Sequence, residues 1–123
     1  ICADTEEEAL ELRWSRDLWM LRLQTGQTGP VPTVEEAKNY PYTDRESMIV
    51  EHNRPRTIVG DPDQVRAQIL ALGEAYKVDE FVVITISDSF DARLRSYELL
   101  ADAFALAPVA EALSVLPDID LFG

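Results

Sequence analysis

The sequence predicts an α/β fold built from parallel βα units. Three observations predict it. Thr57-Ile58-Val59 and Phe81-Val82-Val83-Ile84-Thr85-Ile86 are continuous apolar runs of strand length, as expected of strands buried on both faces. Each run leads into a helix-start signal. The opening Ile1-Cys2-Ala3 reads as the last residues of another buried strand, again followed by a helix start. Strands that alternate with helices pair in parallel, so strands are expected near 1–3, 57–60 and 80–86, and major helices near 5–23, 62–76 and 91–105.

The first helix begins at Asp4-Thr5-Glu6-Glu7-Glu8, where Thr5 and Glu8 have capping-box spacing and three carboxylates sit at the positive end of the helix dipole. It runs to about Leu23 and ends at Gln24-Thr25-Gly26. Leu10, Trp14, Leu18 and Leu21 form one apolar stripe. Ala9, Leu12, Trp19, Met20 and Leu23 form a second on roughly the opposite side. A surface helix needs one apolar face. Two faces imply that it is covered twice, once by its own sheet and once by a partner subunit or a later segment of the same chain.

Residues 24–56 form an irregular excursion, punctuated by Gly26, Gly29, Pro30, Pro32 and Pro41. Two short helices fit inside it, because Thr33 with Glu36 and Thr43 with Glu46 both have capping-box spacing. A stretch of this length and composition is expected to be a lid or binding arm, and the least ordered part of the chain. After the strand at Thr57–Val59, Gly60 permits close backbone approach. Asp61 is an N-cap, Pro62 suits the first helical position, and Gln64 completes a capping box. A phosphate loop would carry several glycines and a lysine or serine at the helix entry. One glycine with Asp61 and Asp63 is instead a strand-to-helix hinge. The third helix carries Leu94, Tyr97, Leu100 and Phe104 along one side; residues 105–115 extend or restart helix, and Pro117–Asp120 read as a tail.

The chain of 123 residues forms a single domain large enough to bury a core. Its formal charge of -12 opposes a nucleic-acid backbone and argues against direct nucleic-acid binding. One cysteine, Cys2, and one histidine, His52, leave no disulfide pair and no zinc cluster. That usage fits a reducing, cytoplasmic setting. No apolar run reaches the length of a membrane span.

Taken in order, RTIVGDPDQVRAQI, VDEFVVITI and ARLRSYELLADAF resemble the C-terminal part of luciferase-like FMN-dependent monooxygenases, and ICADTEEEA resembles that family's strand-to-helix entry upstream. The resemblance covers roughly residues 1–105. It implies a (β/α)8 barrel, of which about 250 residues are typical. This chain has elements for only about the last three βα units, so it is expected to be a fragment of a larger barrel, with 106–123 as a C-terminal extension. The resemblance also implies a flavoprotein oxidoreductase that uses reduced FMN and O₂ on a small organic substrate. Most FMN contacts in the family come from earlier strands, so this stretch alone is expected to be inactive and to bind FMN weakly or not at all.

In such barrels cofactor groups lie beyond the C-terminal ends of strands, which selects Gly60 and Asp61 after one strand and Thr85, Ser87 and Asp88 at the next. Gly60, Thr85 and Ser87 are the cofactor-binding candidates. Thr85 matches a threonine common at this point of the family pattern. Alternatively it is a β-branched core residue with its hydroxyl bonded locally. Arg54 and Arg56 precede a strand and are read as solvated charges, with phosphate binding the lesser alternative; His52 is read as a structural or exposed loop residue. No catalytic residue is assigned and no metal is expected. The competing function is a non-catalytic oligomerisation module using the doubly apolar first helix. Open sheet edges and uncovered apolar surface predict a homo-oligomer rather than a stable monomer.

Overall fold

The computed structural model describes residues 1–106; the helix expected to restart across 105–115 and the extension at 106–123 lie outside the described residues but for their first positions. Five α-helices make up the described part: α1 (Glu6–Gln24), α2 (Val34–Asn39), α3 (Asp44–Asn53), α4 (Pro62–Tyr76) and α5 (Phe90–Ala103), with a 3₁₀ turn at Arg54–Arg56.

Every α-helix starts on an oxygen that accepts a backbone N–H. Thr5 accepts from Glu8, Thr33 from Glu36, Thr43 from Glu46, Asp61 from Gln64 and Ser89 from Ala92. Thr43/Glu46 and Asp61/Gln64 are full reciprocal capping boxes, which satisfy two otherwise orphaned donors each. Lys77 ends α4 in the left-handed conformation at φ 53°, a common helix stop.

The expected α/β portion of a barrel is not what forms. Among the described residues the molecule is helical, with no strand and no sheet; β-pairing is reduced to one isolated parallel bridge between Cys2 and Gly60. Ala3 N–H donates to the Gly60 carbonyl and Gly60 N–H to the Ile1 carbonyl, each at 3.2 Å, and the ladder goes no further. The run 80–86 is extended but unpaired. Its continuous apolar pattern predicted burial on both faces, yet Val82 is 91% and Ile84 76% exposed. A strand needs a neighbour to complete its hydrogen bonds, and this run forms no β-bridge with any described segment. Apolar composition is a demand for cover and does not itself supply it.

Two separate cores result. Leu18 and Leu21 of α1 pack with Ala37 of α2 and Val50 of α3, flanked by Trp14, Tyr40, Tyr42 and Ile49. Cys2 packs with Val65 and Ile69 of α4 and with Leu99 and Leu100 of α5. The 24–56 stretch is therefore the element that covers one face of α1, the later segment of the same chain that the two stripes called for. The residues just ahead of α1 are tied to α5. Cys2 N–H donates to Ser96 Oγ at 2.9 Å, and the Asp4 carboxylate receives Arg95 at 2.7 Å.

Candidate functional site

The three sequence-selected residues do not converge. Gly60 is buried at the Cys2 bridge, where a side chain has no room: an added Cβ would lie 2.6 Å from Gln64 Oε1 and 2.8 Å from Gln64 Cβ. Thr85 is buried; its N–H donates to Tyr97 Oη at 3.1 Å, and its hydroxyl has no partner among the described residues. That hydrogen bond holds the Tyr97 phenol below its usual pKa. Ser87 Oγ accepts from Ser89 N–H at 3.3 Å, a local turn contact. His52 and Arg56 are exposed and Arg54 half-buried.

These groups do not make a flavin-phosphate cradle. Three of the four N–H groups at Gly60–Gln64, the donors that could grip a phosphate at the start of α4, are already used. Gly60 N–H is bonded to Ile1, Asp61 N–H to Gln64 Oε1 at 2.9 Å, and Gln64 N–H to Asp61 Oδ1 at 2.8 Å. Asp61 and Asp63 add negative charge at the same place. This helix start is therefore not a ready cradle for the phosphate of FMN. They also contain no group of three or more His, Cys, Asp or Glu side chains placed to hold a metal ion, and no helix long and apolar enough to cross a membrane.

A different set of residues carries the chemistry, on the middle of α1. Asp17 is almost wholly buried and receives Arg54 Nε at 3.0 Å, with Arg13 Nε at 3.8 Å and Arg16 Nη1 at 3.9 Å. Burial pushes the Asp17 carboxyl above its ordinary pKa, against the pull of the Arg54 hydrogen bond. Burial likewise lowers Arg16 and Arg13. The Arg54 guanidinium also stacks 5.6 Å above the Trp14 ring. Nearby, burial pushes the Tyr42 phenol up to about 12, and its hydroxyl donates to the Ala37 carbonyl at 2.8 Å.

Of this cluster, Arg16 borders a cavity of about 430 Å³, walled by Ile1, Arg16 and Met20 of α1, Arg56–Ile58, α4, Leu100 of α5 and the 81–86 run. Met20, Ile58, Ile69, Phe81, Val83 and Leu100 give it an apolar lining, and Arg16 and Arg56 supply its cationic groups. None of Gly60, Thr85 and Ser87 lines it. The sequence did carry a signal for the cluster. Arg16 lies four residues from both Leu12 and Met20, in the middle of one apolar stripe, and Asp17 lies between Trp14 and Leu21 on the other. A charge at that spacing shares the face of its apolar neighbours and is buried with them, so each calls for a partner from another segment, as Asp17 finds in Arg54.

No protein-family model matches the chain. Over 104 residues it is 44% identical to the uncharacterized protein YceB of Bacillus subtilis (strain 168), covering 85% of this chain and 31% of that protein. Over 106 residues it is 30% identical to the N-acetyl-S-alkylcysteine monooxygenase of the same organism, covering 85% of this chain and 31% of the enzyme. Among solved structures, apo-MsnO8 superposes with a TM-score of 0.71 at 31% identity, over 87% of this chain and 33% of that one. The chain thus spans about a third of the length of the relatives it matches.

Proposed function

We propose that these residues are part of a luciferase-like monooxygenase, an oxidoreductase that uses reduced FMN and O₂ on a small organic substrate. The observation that carries this reading is the 30% identity to a monooxygenase along 85% of the chain. The ordered sequence resemblance of residues 1–105 supports it independently. The flavin would be held chiefly by residues outside this stretch, since three of the four backbone N–H groups at Gly60–Gln64 are already bonded within the chain. What this stretch contributes is a capped helical scaffold with a cavity that is apolar over most of its wall. Such a wall excludes water and accepts the body of an organic substrate.

Equilibrium dialysis against FMN, run on this 123-residue chain and on the product of the complete reading frame that contains it, tests the reading. Flavin retained by the complete product and not by this chain is expected. Failure of the complete product to retain either oxidised or reduced FMN would overturn it.

A second reading has one specific observation in its favour. Val82, Ile84 and Phe90 are 91%, 76% and 75% exposed, an apolar surface suited to self-association. On this reading the chain is a homo-oligomerisation module, and loss of association on making Phe90 charged, a residue outside the cavity wall, would leave any catalytic activity untouched.

A further inference from the structure

We propose that the outer face of α3 is a docking surface for an acidic segment of a partner protein, one that carries an apolar anchor among its carboxylates. The surface is a groove of about 830 Å³, and every residue that lines it comes from 24–56, the stretch whose composition predicts a lid or binding arm. Arg45, Met48 and His52 fall on one face of α3, three and four residues apart. Ile49 and Arg56 border the groove beside them. The groove is held from behind. Val50 is buried in the core with Leu18 and Leu21 of α1, Asn53 and Gln24 exchange hydrogen bonds at 2.7 and 3.4 Å, and the Thr43–Glu46 capping box fixes the helix start. A surface in place before its partner arrives loses little freedom on binding.

Charge selects the partner. Arg45, His52 and Arg56 make no ion pair among the described residues. Of the three acids in α3, Asp44 and Glu51 do not line the groove. Glu46 does, but its carboxylate already accepts from Tyr40 Oη at 2.8 Å and Thr43 N–H at 3.1 Å. The groove is therefore a cationic island on a molecule whose formal charge is -12. An acidic partner is repelled by the surface at large and admitted here, which steers it and sets its register. A second copy of the chain carries the same net charge and is the poorer match. Met48 stands 70% exposed among the cations, and a flexible thioether packs against apolar side chains of varied shape. A free phosphate would use the cations and leave Met48 and Ile49 in water, so the occupant is a peptide segment with an apolar side chain among its acids.

The chain has one histidine and two methionines, so the His52 ring and the Met48 methyl are separable NMR reporters. Met20, in the wall of the cavity beside α1, is the internal control. The 123-residue chain would be titrated with a short capped peptide of glutamates around one leucine, with its lysine counterpart, and with inorganic pyrophosphate. The glutamate peptide is expected to shift His52 and Met48 saturably and to leave Met20 unmoved. Arg45→Glu should weaken it about tenfold, since an attraction becomes a repulsion, and Arg45→Lys should keep the affinity within about threefold. Arg45 is exposed, so both variants keep the buried contacts of α3. No saturable shift, equal binding of the lysine peptide, or unaltered affinity in Arg45→Glu would overturn the proposal. So would pyrophosphate binding as tightly as the glutamate peptide, or His52 and Met48 shifts that follow chain concentration without peptide, the mark of a second copy in the groove.

Discussion

At Gly60 a methyl group would meet Gln64 Oε1 at 2.6 Å and Gln64 Cβ at 2.8 Å, so the Asp61–Gln64 capping box must open to admit it. Gly60→Ala is expected to cost about 1–3 kcal/mol, the combined scale of overpacking and a lost cap, as read by urea denaturation. A variant as stable as the parent would show that the close approach at the Cys2 bridge is not required. Asp17 and Asp4 give a paired pH prediction. Burial raises the Asp17 carboxyl, while the hydrogen bond from Arg95 lowers that of Asp4, both from a starting value of 3.8. A carboxyl raised by folding binds its proton more tightly in the folded chain, so its contribution is fully present below the unfolded value and is lost as pH rises through the raised one. Asp4 behaves oppositely: its contribution is present above the unfolded value and is lost as pH falls through the lowered one. Carbon-13 carboxyl titration should find Asp17 with the higher midpoint. The reverse order would mean that the three arginines outweigh burial. Thr85 offers a third check. Its hydroxyl is buried without a partner among the described residues, so Thr85→Val should be neutral or stabilising by up to about 1 kcal/mol. A loss of stability would reveal a partner for that hydroxyl.

The helices were legible at the level of elements because their signals are local. A capping oxygen three residues before its acceptor, a run of acids in the first turn, and an apolar period can all be read from one short window. Thr5, Thr33, Thr43 and Asp61 each start a helix at the expected place. Strands were not legible in that sense. Thr57–Val59 and Phe81–Ile86 have strand composition, but a strand exists only through a neighbour, and the only β-pairing among the described residues is Cys2 with Gly60. The candidate site residues rested on the same premise. Gly60, Thr85 and Ser87 were chosen from where strand ends meet in a barrel, and none of them lines the cavity beside α1. Arg16 and Asp17 were readable as charges interrupting apolar stripes, yet which charge meets which depends on Arg54 arriving from thirty-odd residues away. The packing of α2 and α3 on α1 also makes a prediction for the 24–56 stretch. Leu18 is fully buried against Ala37 and Val50, so Leu18→Ala should cost about 2–5 kcal/mol and should speed hydrogen exchange in α3. Unchanged exchange in α3 would mean that α1 does not anchor it.

For the whole molecule, the exposed run from Phe81 to Ile84 is the dominant surface feature, with Val82 91% and Ile84 76% accessible. Apolar surface of this kind favours association. Light scattering should therefore find a mass that grows with concentration, and Val82→Glu should return it towards the 13.8 kDa of the single chain. A monomer at every concentration would leave the self-association reading without support. The chain spans about a third of a monooxygenase's length at 30% identity, and the proposed reading is that the complete protein inserts oxygen into an organic substrate. The most direct measurement is isotope incorporation. The complete reading frame containing these residues would be supplied with reduced FMN, ¹⁸O₂ and a panel of small organic substrates, including anionic ones. The account predicts a product carrying one ¹⁸O atom, formed only when both the reduced flavin and the protein are present. Flavin reoxidation at the protein-free rate, with no labelled product from any substrate, would contradict it.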